Sequence, residues 1–212
     1  KSETIEIFKY CKKKQIKIFS TVGDKQTLKW IADQNPFAYK ISSGLLNNTP
    51  LIEEIFKFKE PVFLSTGLAD NKDLDILYSL IKKYKKKNIS ILHCVSMYPT
   101  NHNNLGLNII SNLKEKFQCP IGYSDHTIDQ NIPIFAVMAG AEVIEKHFTF
   151  DNKRTGFDHQ ISFTESQFKK MVKKIRKYEC LLKPKNLNDI KKKQRSIFSR
   201  CIVAKKNIKK NE

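Results

Sequence analysis

The chain has 212 residues, 40% of them apolar, with 39 Lys and Arg against 21 Asp and Glu and a formal net charge of +18. That length suits one large domain or one and a half small ones, and no apolar run reaches the roughly 18 residues of a membrane span. The charge invites a nucleic-acid reading, but the lysines fall on polar helix faces such as IKKYKKKN and FKKMVKKIRKYE, without the interleaved exposed aromatics of single-strand binders. The expectation is therefore no nucleic-acid and no membrane partner, and a basic surface that favours a phosphorylated, acidic small molecule.

In chain order, KSETIEIFKYCKKKQ reads as a helix already under way, with neither an initiating Met nor a signal-peptide pattern. Short segments rich in Ile, Val and Phe follow: IKIFST (16–21), AYKIS (38–42), PVFLST (61–66), ISILHCVS (89–96), PIGYSD (120–125) and EVIEKHF (142–148). Helix-like stretches separate them: KQTLKWIADQ, PLIEEIFKFK, KDLDILYSLIKKYKKK, NNLGLNIISNLKEKF and QNIPIFAVMAG. Strands alternating with helices imply right-handed crossovers and a parallel sheet. Six such strands fit most of a (β/α)8 TIM barrel, which takes about 250 residues, with its first two strands upstream of Lys1. A last amphipathic helix, FTESQFKKMVKKIRKYECLL (163–182), closes the partial barrel, predicted over 1–183. Residues 184–198 read as a polar linker, and SRCIVAKKNIKKNE (199–212) resumes a strand-like pattern. The whole reads as a fragment cut at both ends. The five scattered cysteines form no CxxC pair and suggest reduced thiols and a cytoplasmic location.

Each strand-like segment ends in small polar or ionisable residues, and the carboxyl ends of barrel strands form the active-site rim. His126 of GYSDHT and His147 of EKHF stand at matching places on successive strands. Neighbouring strands lie about 4.8 Å apart, so two imidazoles there can share one divalent cation and leave positions open for water and substrate oxygens. Asp125 would orient a ligand from behind. The bland reading, in which each histidine merely hydrogen-bonds a loop, stands beside it. Lys40, Ser43, Ser65, Ser96 and Ser124 sit at four strand ends and, with the N–H groups of Gly44 and Gly67, suit a phosphate; ordinary turn serines and a rim lysine are the alternative. Tyr98 would present a phenol to a polyol, and Asp158, beside His159 in GFDH, would accept from hydroxyls. His93 and Cys94 read as packing residues inside a strand.

KISSGLLNNTPLIEEI, LSTGLAD, LHCVSMYPT, GYSDHT, VIEKHFT and GFDH, in this order, resemble the N-acetylneuraminate (sialic acid) synthase family, which includes the legionaminate and pseudaminate synthases. The resemblance covers nearly the whole chain. It implies a metal-dependent condensation of phosphoenolpyruvate with an N-acetylmannosamine-type sugar, releasing phosphate, by a barrel followed by an antifreeze-like (SAF) domain in a domain-swapped homodimer. It implies that His126 and His147 hold Mn2+ or Mg2+, and that Lys40, Ser43, Ser65, Ser96 and Ser124 hold phosphoenolpyruvate. Tyr98 and Asp158 would lie near the sugar. Residues 199–212 would begin the SAF domain, with Arg200, or its neighbour Arg195, matching the arginine sent into the partner's site. Three positions depart from the family pattern: Leu45 replaces an acidic residue, STVGD (20–24) replaces an STPFD-like loop, and Asn211 replaces a glycine. An inactive or divergent barrel that only binds a phosphorylated ligand, and a Schiff-base aldolase using Lys40 or Lys146, are the competing readings.

Overall fold

A computed structural model describes residues 1–156, 158–183 and 186–212. It divides into two units, Lys1–Glu179 and Cys180–Glu212. Phe157 of the GFDH segment, and Pro184 and Lys185 at the start of the predicted linker, lie outside the described residues.

In the first unit, helix α1 (Ser2–Lys13) leads into an alternating series: β1 (Ser20–Thr21), α2 (Lys25–Ala32), β2 (Tyr39–Ile41), α3 (Thr49–Phe56), β3 (Val62–Ser65), α4 (Asn71–Tyr84), β4 (Ile89–Cys94), α5 (Ile109–Phe117), β5 (Ile121–Asp125), α6 (Ile132–Met138), β6 (Val143–Lys146) and all but the last three residues of α7 (Glu165–Leu182). The strands form one sheet in the order β1-β2-β3-β4-β5-β6, and every neighbouring pair is parallel. Sequential order without a switch point means that every crossover runs the same way round, as in an arc of a barrel wall.

Local chemistry explains the boundaries. Asp24 caps α2 by accepting from Thr27 N at 2.6 Å, and Asp70 and Asp73 form a reciprocal capping box at the start of α4. Such caps satisfy the orphan N–H groups of a helix start. The helix expected over 103–117 begins only at Ile109, because Gly106 turns the chain with φ +54°, a conformation that glycine adopts without steric cost. The first strand is shorter than its apolar pattern suggests. It has a ladder on one side only, and its pairing with β2 continues as single bonds, Phe37 N to Ile18 O at 2.9 Å and Val22 N to Lys40 O at 3.1 Å.

Period-two alternation sorts the strands into two faces. Tyr39, Ile41, Val62, Leu64, Ile89, Ile91, Ile121 and Tyr123 are almost wholly buried and join the core with residues of the helices. Lys40, Ser65, Cys94, Ser124 and Glu145 point the other way and line a cleft. Gly122 sits where sheet and neighbours close up: a Cβ there would press on the Leu92 side chain and come 2.8 Å from the Val143 carbonyl oxygen.

In the second unit, α8 (Asn188–Phe198) is helical, where the polarity of the segment predicts a linker. Leu187, Ile190 and Ile197 recur on one side, a narrow apolar stripe among helix-forming Lys and Gln. Residues 199–212 form no strand, contrary to their strand-like pattern; a strand needs a ladder partner, and none of the described residues supplies one. Among the described residues, no helix is long and apolar enough to cross a membrane.

Gly122→Ala is expected to destabilise the protein by about 1–3 kcal/mol through overpacking between two strands, read as a lower midpoint in urea unfolding. An unchanged midpoint would mean that the β4–β5–β6 layer can spread.

Candidate active site

The cleft opens at the carboxyl ends of the strands, has a volume of about 280 Å3, and is lined among others by Lys40, Ser43, Ser65, Ser96, Tyr98, Ser124, His126 and Glu145. Registers explain the convergence: Cys94 lies opposite Ser124, and Ser124 opposite Glu145, so three strands present one row of polar groups.

Lys40 is held by Glu145, with Nζ 2.9 Å from both carboxylate oxygens, and Ser124 Oγ donates to Glu145 Oε1 at 2.7 Å. Burial alone would raise the Glu145 carboxyl, but the Lys40 ammonium and the Ser124 hydroxyl outweigh it and hold the group below its ordinary value. Glu145 escapes the sequence reading, although the signal was present: it stands two residues before His147 and therefore on the same face. Ser65 is 3% exposed, and its hydroxyl has no hydrogen-bond partner among the described residues. Most buried hydroxyls in folded proteins have a partner, so Ser65 stands out in the lining of the cleft.

Ser43 Oγ accepts from Gly67 N at 3.0 Å and lies 3.2 Å from Cys94 Sγ. The Gly67 N–H is therefore engaged with Ser43, which corrects its expected place in a phosphate cradle. Gly67 is required there by crowding: a Cβ would stand 2.6 Å from Ser96 Oγ and 2.7 Å from Cys94 Sγ. Cys94 lines the cleft, beyond the packing role expected of it, whereas His93 does pack, with Nε2 2.7 Å from the Leu105 carbonyl oxygen. Leu45 packs against the core, outside the cleft lining.

The two rim histidines stand together. Their ring centroids are 5.5 Å apart, and the Tyr98 ring lies 4.3 Å from that of His126 and 6.2 Å from that of His147. His126 Nδ1 is 3.0 Å from the Val95 carbonyl oxygen, which fixes the proton on Nδ1 and leaves the Nε2 lone pair available. Burial lowers the His126 pKa, favouring the neutral ring. Asp158 Oδ2 is 3.7 Å from His147 Nδ1, and His159 Nδ1 meets Thr149 Oγ1 at 2.7 Å. Asp125 does not back either histidine. It points to the opposite face of β5, fully buried, where its Oδ2 lies 2.7 Å from Lys146 Nζ; the Val95 carbonyl takes the orienting role expected of it. Among the described residues, no group of three or more His, Cys, Asp and Glu is arranged to hold a metal ion. Arg200 is exposed in the second unit.

The Glu145 carboxyl is depressed in the folded state, so its contribution to stability is present above the ordinary value near 4.5 and is lost as pH falls through the lower folded value. The stability difference between the wild type and Glu145→Gln is therefore expected to shrink on acidification below that value, measured by urea unfolding across the range. A difference independent of pH would sink the Lys40–Glu145 assignment.

A profile of the NeuB family matches residues 1–186. An uncharacterised protein of Methanocaldococcus jannaschii is 39% identical over 99% of this chain and 63% of its own length. The N,N'-diacetyllegionaminic acid synthase of Campylobacter jejuni is 34% identical over 98% of this chain and 63% of its own. The chain thus spans a little under two thirds of these relatives. The crystal structure of the N-acetylneuraminic acid synthetase of Leptospira borgpetersenii superposes with a TM-score of 0.86 at 32% identity, covering 94% of this chain and 72% of that one. With a strand-end cleft of the kind described and matches of this extent, the chain belongs to the NeuB family.

Proposed function

We propose that this chain is the larger part of the catalytic barrel of a nonulosonate synthase, which joins phosphoenolpyruvate to an N-acetylmannosamine-type sugar and releases phosphate. In this reading two strands preceding β1 complete a (β/α)8 barrel, and residues 199–212 begin an SAF domain. Arg200 then serves the site of a partner in a domain-swapped homodimer, and the enzyme works in the cytoplasm. The observation that carries it is the unsatisfied Ser65 hydroxyl in the cleft that Lys40 and His126 also line, with the His147 ring 5.5 Å from that of His126.

His126 and His147 fit a Mn2+ or Mg2+ ion in having one ring nitrogen anchored on Val95 and one ring beside Asp158. Two protein nitrogens with open positions is the pattern of a catalytic rather than a structural site. When bound, such an ion supplies Lewis acidity towards the sugar carbonyl. The chain's own residues do the rest. Lys40 exchanges Glu145 for the anionic groups of phosphoenolpyruvate, and Ser43, Ser65, Ser96 and Ser124 bind its remaining oxygens. Tyr98 and Asp158 hold sugar hydroxyls. C3 of phosphoenolpyruvate forms the new bond to the aldehyde carbon, whose oxygen takes a proton. Water adds at C2 and gives up one proton, and the C2–O bond to phosphate breaks as the new C2 hydroxyl becomes a carbonyl, its proton leaving with the phosphate. Holding both reactants in near-attack geometry contributes on the order of 7–11 kcal/mol. Glu145, released from Lys40, is the carboxylate among the cleft-lining residues and is placed to receive the proton of that water.

A divergent barrel that only binds a phosphorylated ligand is the second reading, supported by the apolar Leu45. Glu145 weighs against it, because it supplies a carboxylate to the cleft. The Schiff-base aldolase loses Lys146, which is buried on the opposite face, and is left with Lys40 alone, which borohydride trapping would expose.

The deciding assay gives the full-length protein phosphoenolpyruvate, Mn2+ and N-acetylmannosamine or its diacetamido analogues, and measures phosphate. Release with any of these sugars is expected, and binding without release supports the second reading. His126→Ala should lower metal-dependent release by at least about a hundredfold, as much as or more than the loss of a residue that only supports a ligand; unaltered turnover discards the metal assignment. Ser65→Ala should raise the phosphoenolpyruvate KM about ten- to a hundredfold, since a hydrogen bond to a charged group contributes about 1.5–3 kcal/mol. The same variant should keep or gain stability, because it removes a buried hydroxyl without a partner. Lost stability with unchanged KM would refute that role.

A further inference from the structure

Asp125 and Lys146 form an ion pair at 2.7 Å with both side chains wholly inaccessible to solvent. They lie in the layer between the sheet and helices α6 and α7. Lys146 Nζ sits 4.4 Å over the ring of Phe163, which packs with Ile134, Met171 and Ile175. A buried ion pair is a poor stabiliser: apolar residues of similar volume often do as well or better. The ladder already joins β5 to β6, so the strands do not need a charge pair to hold them together.

Its position suggests another use. The last register pair of the β5–β6 ladder is Asp125 with Lys146. His126 and His147 are the next residue of each strand, and both stand past the final rung. There the Lys146 ammonium takes over. It reaches the Thr127 carbonyl oxygen at 2.5 Å, while Thr127 N donates to Asp125 Oδ1 at 3.0 Å, so His126 is bracketed on both sides. On the other strand the Phe163 ring lies under the ammonium, and Phe163 N donates to the His147 carbonyl oxygen at 2.8 Å. One cation therefore touches the segments that carry both rings.

We infer that the Asp125–Lys146 pair is a positioning clamp that sets the separation and facing of His126 and His147. This rests on the reading that the two imidazoles act together, but its decisive test needs no metal. In the full-length protein, Asp125→Asn/Lys146→Met removes both charges at nearly constant volume and keeps the Asn oxygen as acceptor for Thr127 N. With labelled histidine, the ring-to-ring nuclear Overhauser effect between His126 and His147 is measured in the metal-free wild type and the variant, beside melting temperature, Mn2+ affinity and phosphoenolpyruvate binding. The expected variant is folded, with that effect lost or weakened, Mn2+ affinity down about 10–100-fold and phosphoenolpyruvate binding unchanged. A folded variant with the wild-type ring-to-ring effect overturns the clamp, whatever happens to Mn2+. If the wild type binds no Mn2+, the metal reading fails, and the ring-to-ring effect alone decides the clamp. If the double variant does not fold, Asp125→Asn/Lys146→Gln is read in the same way: it cancels both charges while keeping neutral hydrogen-bonding groups at similar volume, and an unaltered ring-to-ring effect again overturns the inference.

Discussion

The register between β5 and β6 is the constraint on which the site depends. Ser124 faces Glu145 and Asp125 faces Lys146 across a parallel ladder, and side chains alternate along each strand. One rung therefore sends a hydroxyl and a carboxylate into the cleft, and the next sends a carboxylate and an ammonium into the apolar layer. The residues after that return to the cleft side as two imidazoles. A slip of one residue would exchange all of these, placing an unpaired lysine in the cleft and histidines against Phe163. The register is protected by what lies behind it, because Ile121 and Tyr123 of β5 are buried in the core.

The cleft itself is electrostatically self-satisfied. Lys40 is accompanied by Glu145, and Glu145 by Ser124. A lone buried ammonium would carry a large desolvation cost; here an internal carboxylate offsets it until an anion arrives. An arriving anion would have to displace Glu145 from Lys40, and the carboxylate, 38% exposed, would then be left in the cleft. Ser65 has no such partner among the described residues, so the cleft holds one hydroxyl unengaged and one ammonium that is paired.

Much of this was legible in the sequence, for physical reasons. Six apolar segments at helix-spaced intervals allow little besides a parallel sheet, and the polar strand ends mark its functional edge. The rim histidines could be paired because both follow their strands directly. What stayed hidden depended on partners. Lys146 and Lys40 look alike as strand-end lysines, and only the face to which each points separates a core clamp from a cleft cation. Glu145 was overshadowed by the histidine two residues on. Asp125 sits next to His126 in the chain and across the sheet from it in space, so adjacency misled where period two would have corrected it. The helix over 188–198 was masked by the lysines around its narrow apolar stripe.

The two lysine–carboxylate pairs of the sheet show how environment decides what one interaction does. Lys40 and Glu145 meet at 2.9 Å with 10% and 38% of their side chains exposed, and Asp125 and Lys146 meet at 2.7 Å with none. In the first, water and ligand anions compete for either partner, so the pair is exchangeable. In the second, separation would leave a bare charge among Phe163, Ile134 and Met171, a change that typically costs about 3–5 kcal/mol, so the pair is fixed. The fixed pair lies one residue from each histidine, and the exchangeable one lies within the cleft they border. The sheet thus carries one pair of each kind. Strand alternation provides them from adjacent positions, Glu145 and Lys146, of a single β-strand.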